Sequence, residues 1–83
     1  MLKNELEKEI EKWTEKLNER LPGLKPEDNS GKEILENIKA YREDSKHFFQ
    51  NDNLIKSYEA LIWAWAFVEI GENLGHLTHS EKA

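Results

Sequence analysis

The sequence predicts an all-α protein, an up-and-down three-helix bundle that forms a single domain over residues 1–83. Two observations support this fold class, and the chain length supports a single domain. Apolar residues recur every three or four positions in three long segments, which is the period of a helix. Two stretches rich in proline, glycine, asparagine and aspartate separate these segments. A chain of 83 residues is also near the size at which one core gives only marginal stability, so additional burial by association would help.

The first predicted helix covers about residues 2–21. Charged and polar residues fill most positions outside one apolar stripe, which consists of Leu2, Leu6, Ile10, Trp13, Leu17 and Leu21. Pro22 and Gly23 should end this helix. Proline cannot continue the hydrogen-bond ladder, and glycine readily adopts the left-handed conformation that closes a helix.

The second predicted helix covers about residues 30–50. Ser30 and Glu33 have the spacing of a capping box, so the helix should begin at Ser30 or up to one turn earlier, from Pro26. Its core-facing stripe consists of Ile34, Ile38, Tyr41, Ser45 and Phe48, widened by Leu35 and Phe49.

The third predicted helix covers about residues 53–74. It follows a short polar turn, which makes the last two helices an antiparallel hairpin. Asp52 or Asn53 should cap its start, and Gly75 can close its end. Residues 76–83 should form a frayed polar tail. The core face of this helix carries Leu54, Tyr58, Leu61, Trp65 and Val68, flanked by Ile55 and Ile62.

Helix three has a second apolar face, formed by Trp63, Phe67, Ile70 and Leu74. One interpretation is that helix three lies between the other two helices and needs a wide apolar surface. The other is a contact with a protein partner, because large apolar patches are uncommon on monomers and aromatic residues are enriched at interface centres. Self-association needs only this one patch, so we expect a homodimer or, failing that, an unknown protein partner.

Charge and composition exclude several functional classes. The formal net charge of −5 argues against nucleic-acid binding, which depends on neutralising phosphates with lysine and arginine. The absence of cysteine excludes a disulfide framework, a thiolate metal site and a thiol nucleophile. No secretion signal or membrane-length apolar run is recognisable, so we expect a cytoplasmic protein without membrane contact.

The sequence predicts no catalytic residue, no cofactor site and no metal site, since motifs for phosphate loops, activated serines and zinc hydrolases are absent. We therefore expect a non-enzymatic interaction module. The pairs Glu43 with His47, and His76 with His79, provide half a metal site at most. One alternative is a minimal RNA-processing enzyme, because Arg42 and His47 match the arginine-then-histidine spacing of HEPN-type ribonucleases. Another alternative is a pocket between the helices for an apolar ligand.

The segment Asn37 to Gly75 carries a recognisable pattern. It consists of Tyr41, Asp44, Ser45 and Phe48, then Tyr58, Glu59 and Ala60, an aromatic and alanine run, and Gly71 with Leu74 and Gly75. With this pattern the segment resembles a family of small archaeal proteins known as domain of unknown function 357. The resemblance implies an up-and-down three-helix bundle and no established activity. This chain has Ser45 and Ser57 where such proteins usually have alanine.

Overall fold

Residues 2–80 are described by the computed structural model, which contains three α-helices and a two-stranded antiparallel sheet. The helices are α1 (Leu2–Arg20), α2 (Asn29–Gln50) and α3 (Leu54–Asn73). A 3₁₀ turn at Leu21–Gly23 leads into strand β1 (Leu24–Pro26), and strand β2 (Leu77–His79) follows α3. The all-α prediction is therefore broadly correct. The prediction of an up-and-down three-helix bundle was incomplete, because two strands are also part of the fold.

The ends of the helices follow from local chemistry. Pro22 lies in the 3₁₀ turn directly after α1, as predicted. Helix α2 begins at Asn29, within the predicted range, but its cap is Asp28 rather than Ser30: the extended Asp28 accepts a 2.7 Å hydrogen bond from the amide of Gly31. Asn53 caps α3, and its side chain accepts from the amide of Lys56.

The antiparallel α2–α3 hairpin contains most of the hydrophobic core. Side chains from both helices meet along its length, including a hydrogen-bonded pair of serines at Ser45 and Ser57. The apolar residues of the hairpin that are buried are Ile38, Leu54, Ala60, Leu61, Ala64 and Val68. Periodicity had placed Ile38, Leu54, Leu61 and Val68 on core-facing stripes, and the structure confirms this placement.

Helix α1 packs against one side of the hairpin. Ile10 and Leu17 of its apolar stripe are buried. The rings of Trp13 and Trp65 meet edge to face with their centroids 5.8 Å apart, and Trp65 Nε1 donates a 3.2 Å hydrogen bond to the carbonyl oxygen of Trp13. The guanidinium of Arg42 in α2 donates a 2.7 Å hydrogen bond to Asn18 Oδ1. These contacts define the covered side of the hairpin.

The C-terminal segment departs from the predicted polar tail. Leu77–His79 pairs antiparallel with Leu24–Pro26, in the register that places Leu24 opposite His79. Leu77 is only 2% exposed and belongs to the hydrophobic core. The strand forms because Leu77 has an apolar site to fill and the pairing satisfies backbone groups of the α1–α2 connection. Positions 81–83 of the predicted tail lie outside the described residues.

The four glycines of the chain allow the C-terminal segment to pack against the rest of the protein. Gly75 has a φ of +80° and reverses the chain after α3, as predicted for the closing residue. A Cβ on Gly71 would lie 2.6 Å from Leu77 Cδ1, and a Cβ on Gly31 would overlap the carbonyl oxygen of His76. A Cβ on Gly23 would lie 2.6 Å from the carbonyl oxygen of Ser80. Residues 76–80 therefore pack directly against the backbone of Gly23, Gly31 and Gly71, where a side chain would not fit.

Candidate interaction surface

The four residues predicted to contact a partner lie along one side of α3, which we call the α3 strip (Trp63, Phe67, Ile70 and Leu74). Trp63 is 54% exposed, Ile70 45% and Leu74 66%, whereas Phe67 is half-buried. Trp65 points to the other side of the helix, where it packs on α1. The structure therefore brings the strip together on a side of α3 that α1 does not cover.

Tyr41 extends this surface onto α2. It is half-buried and packs against the hydrophobic core, as its place on the inner stripe predicted, and its ring also stacks on Phe67 and on Trp63. The centroid distances are 5.8 Å to Phe67 and 6.2 Å to Trp63, with interplanar angles of 16° and 20°. We call these three rings the aromatic platform. The helical period rotates Tyr41 by about 60° from the buried Ile38, but its contact with Phe67 and Trp63 depends on how α2 packs against α3.

Two further residues of α2 share the side of Tyr41 because they lie seven positions from it, close to two full turns: Ile34 and Phe48. Lys56, seven positions before Trp63, has its Nζ 5.7 Å from the centroid of the Phe48 ring, within the range of a cation–π interaction. Ile34 is half-buried and packs against the hydrophobic core at the other end of this row. Helix α2 thus contributes a second row beside the α3 strip. The two rows together are the hairpin face: Ile34, Tyr41 and Phe48 from α2, and the α3 strip.

Two other apolar residues of α3 are more exposed than their sequence pattern predicted. Ile55 and Ile62 were expected to flank the core face, yet they are 68% and 49% exposed. Ile62 borders an open groove of about 830 Å³ between α1 and α3. This flank remains exposed because α1 packs on Trp65 and leaves the groove beside it.

The groove between α1 and α3 combines aromatic and charged groups. Trp13, Tyr58 and Trp65 contribute rings to its walls. Lys16 Nζ lies 5.3 Å from the centroid of the Trp13 ring, and the Arg20 guanidinium carbon lies 6.0 Å from that of the Trp65 ring. Cations from the chain itself thus already contact these aromatic faces, and an apolar ligand in the groove would share the faces with them.

The pair considered for RNA cleavage has separate contacts in the structure. Arg42 donates to Asn18 beside α1 and forms an ion pair with Glu43 at 3.3 Å. His47 lies one turn before the end of α2, where its Nε2 is 3.5 Å from Asn51 Nδ2. None of these described contacts joins Arg42 to His47. The same ion pair engages Glu43, the carboxylate considered with His47 as half a metal site.

The two C-terminal histidines also have different surroundings. His76 Nδ1 donates a 2.8 Å hydrogen bond to Asp28 Oδ2, whereas His79 borders the groove between α1 and α3. The hydrogen bond from His76, followed by that from the amide of Gly31, lowers the pKa of the Asp28 carboxyl below its ordinary value. Within residues 2–80, no group of three or more histidine, aspartate or glutamate side chains is arranged to hold a metal ion.

The fold and the surface define a small helical protein in which α1 covers one side of a two-helix hairpin and an apolar face remains on another side. The chain belongs to the DUF357 family, described as proteins of unknown function, and the family model matches residues 4–77. This confirms the resemblance. The structure is similar to the crystal structure of protein AF1782 from Archaeoglobus fulgidus, assigned to the same family model, with a TM-score of 0.88 and 34% sequence identity. That match covers 96% of this chain and 100% of the other.

No curated protein matches the chain. Across the described part of the chain, none of the helices combines the length and the hydrophobicity that spanning a bilayer requires.

Proposed function

We propose that this protein is a non-enzymatic helical interaction module that forms a homodimer through α3, with Trp63, Phe67, Ile70 and Leu74 at the contact. One observation carries the proposal. Three of these four side chains remain about half exposed or more although α1, α2 and both strands are packed in place. Exposed aromatic and aliphatic side chains in one strip are typical of a surface that binds another protein.

The area of the strip agrees with a dimer of moderate affinity. The exposed parts of its side chains amount to roughly 250 Å² per copy, given the usual size of tryptophan, leucine and isoleucine side chains. Two copies would then remove roughly 500 Å² of apolar surface from water, which stabilises the complex by about 12 kcal/mol before the costs of association. Those costs are on the order of 4 to 15 kcal/mol, so burial of the strip alone gives at most about 8 kcal/mol, and we expect dissociation in the micromolar range or weaker.

A second copy is the simplest partner for this surface. In a two-fold symmetric contact, the same strip supplies both halves of the interface, and no other binding surface is required. Burial of this strip would also add to the small hydrophobic core of a chain of 83 residues.

Sedimentation equilibrium over low to high micromolar concentrations tests the proposal. The wild-type protein should associate, and Leu74→Glu should weaken association because a carboxylate would be buried without a partner. Leu2→Glu is the matched control, since Leu2 is also an exposed leucine, 82% exposed, but lies on α1. The double variant Trp63→Glu with Phe67→Lys should be a folded monomer by circular dichroism. A wild-type protein that stays monomeric at high micromolar concentration would contradict the proposal.

A further inference from the structure

We infer that the two copies meet through the entire hairpin face, with α2 and α3 of each copy in contact, and that Tyr41 lies near the centre of the interface. The inference rests on the proposed homodimer and defines which surface of each copy is buried. The dimer would then have four layers of helices: α1 and the hairpin of one copy, followed by the hairpin and α1 of the second copy.

The aromatic platform links the two helices into one surface. The ring of Tyr41 is nearly parallel to those of Phe67 and Trp63, at centroid distances of 5.8 and 6.2 Å. The ring centroids of Trp63 and Phe67 are also 6.2 Å apart. A partner that covers the two α3 rings must therefore lie against Tyr41 as well. The interface cannot be restricted to α3 without leaving part of the platform exposed at its edge.

The area that a stable dimer needs also favours a face two helices wide. A helix of 20 residues, the length of α3, is about 30 Å long and about 10 Å wide, so one helix presents a face of about 300 Å². Helix α2 has 22 residues, and the two helices together present about 600 Å². Specific dimers of standard size bury about 800 Å² of accessible surface per partner, and weaker dimers bury less. A face two helices wide comes closer to this value than the face of α3 alone.

The position of α1 leaves this face available. Helix α1 contacts Trp65 of α3 and Arg42 of α2. Trp63 and Tyr41, in contrast, belong to the hairpin face. The hairpin is therefore a layer with α1 on one side and no helix of the same chain on the hairpin face, within residues 2–80. Helical layers are stable when both apolar sides are packed. A second hairpin would cover the free side as α1 covers the other.

Substitutions on α2 test this inference separately from the homodimer itself. Tyr41→Ala removes the centre of the platform and should weaken the dimer at least tenfold. Tyr58→Ala is its matched control, since Tyr58 is a half-buried tyrosine that borders the groove beside α1. It should leave the dissociation constant unchanged. Thermal unfolding of each variant shows whether the fold is retained.

A second pair of variants avoids any loss of core packing. Asn37 is exposed one turn before Tyr41, and Asn37→Arg should weaken the dimer at least fivefold by placing a long charged side chain at the face. Asn4→Arg, at an exposed asparagine of α1, should have no effect. If Leu74→Glu dissociates the dimer but Tyr41→Ala and Asn37→Arg do not, the dimer stands and the two-helix interface is wrong. A wild-type monomer would overturn both the homodimer and this inference.

Discussion

Ser45 and Ser57 each donate a hydrogen bond to the main chain of the other across the contact between α2 and α3. Ser45 Oγ lies 2.8 Å from the carbonyl oxygen of Ser57, and Ser57 Oγ lies 2.8 Å from that of Ser45. The two hydroxyl oxygens are 3.1 Å apart, and the residues are 3% and 0% exposed. Both buried hydroxyls are therefore satisfied. The pair requires the alignment in which residue 45 faces residue 57, so it favours one register of the hairpin.

A double-mutant cycle tests this serine pair. Ser45→Ala and Ser57→Ala should each lower the free energy of unfolding by about 1 kcal/mol, the usual net value of a hydrogen bond. The double variant should lose less than the sum, because the contact between the two hydroxyls is counted in both single variants. Urea unfolding gives all three values. Ser30→Ala, at an exposed serine, is the control, and strict additivity in the cycle would contradict the coupling.

Gly71→Ala should destabilise the protein, although alanine in a helix is normally about 1 kcal/mol more favourable than glycine. The added Cβ would lie 2.6 Å from Leu77 Cδ1, so Leu77 must shift from its buried position. We expect a loss of about 1 to 3 kcal/mol, as for other overpacked sites. In the Leu77→Ala background, which itself costs about 2 to 5 kcal/mol, the same change should become neutral or stabilising. Chemical denaturation measures the free energy of unfolding of each variant. If Gly71→Ala stabilises the wild-type protein, the packing of Leu77 against Gly71 is wrong.

The acid stability of the protein should depend on His76. The pKa of the Asp28 carboxyl is lowered from 3.8, first by the hydrogen bond from His76 and then by that from the Gly31 amide. Because the pKa is lower in the folded state, the carboxylate stabilises the fold at pH values above about 4, and this contribution is lost as the pH falls through the folded-state pKa. His76→Ala should lower stability at neutral pH and flatten its decline in acid.

Urea midpoints from neutral pH to about pH 2.5 measure this effect by proton linkage. His47→Ala is a suitable control, since His47 is an exposed histidine whose ring lies beside Asn51. An acid decline in His76→Ala as steep as that of the wild-type protein would show that the hydrogen bond does not control the ionisation of Asp28.

Helix α1 should open more readily than the hairpin. Its only fully buried residues among those described are Ile10 and Leu17, whereas α3 buries seven residues. Fewer buried contacts imply a lower free energy of local opening. In hydrogen exchange, the amides of α1 should exchange faster than those in the middle of α2 and α3, and Trp13→Ala should widen the difference. Equal protection of all three helices would show that the protein opens only as one unit.

The sequence predicted the features that depend on local periodicity and failed where distant segments meet. The stripes that contain Leu17, Ile38 and Leu61 were visible because a helix repeats over neighbouring positions. Strand β2 has no such signal, since Leu77 stands alone among polar residues and its partner strand precedes α2. The cap of α2 also takes part in a distant contact that local patterns do not show, because His76 binds the second carboxylate oxygen of Asp28.

The sequence predicted only the part of the candidate interaction surface that lies on a single helix. The α3 strip follows from the period of one helix, so its four residues could be grouped from the sequence. The inclusion of Tyr41 depends on how α2 is rotated against α3, which a single helical pattern does not determine. The exposure of Ile55 and Ile62 depends on where α1 crosses α3. Both features are set by packing between helices.

The glycines at 23, 31 and 71 all make room for the same five-residue segment, so their contributions to stability are shared. A methyl group at any one of them should displace that segment, so a second methyl group should then cost less than it would alone. A chain shortened to end at Gly75 should accordingly accept alanine at positions 31 and 71. The need for glycine at these three positions thus depends on the return of residues 76–80 to the body of the protein.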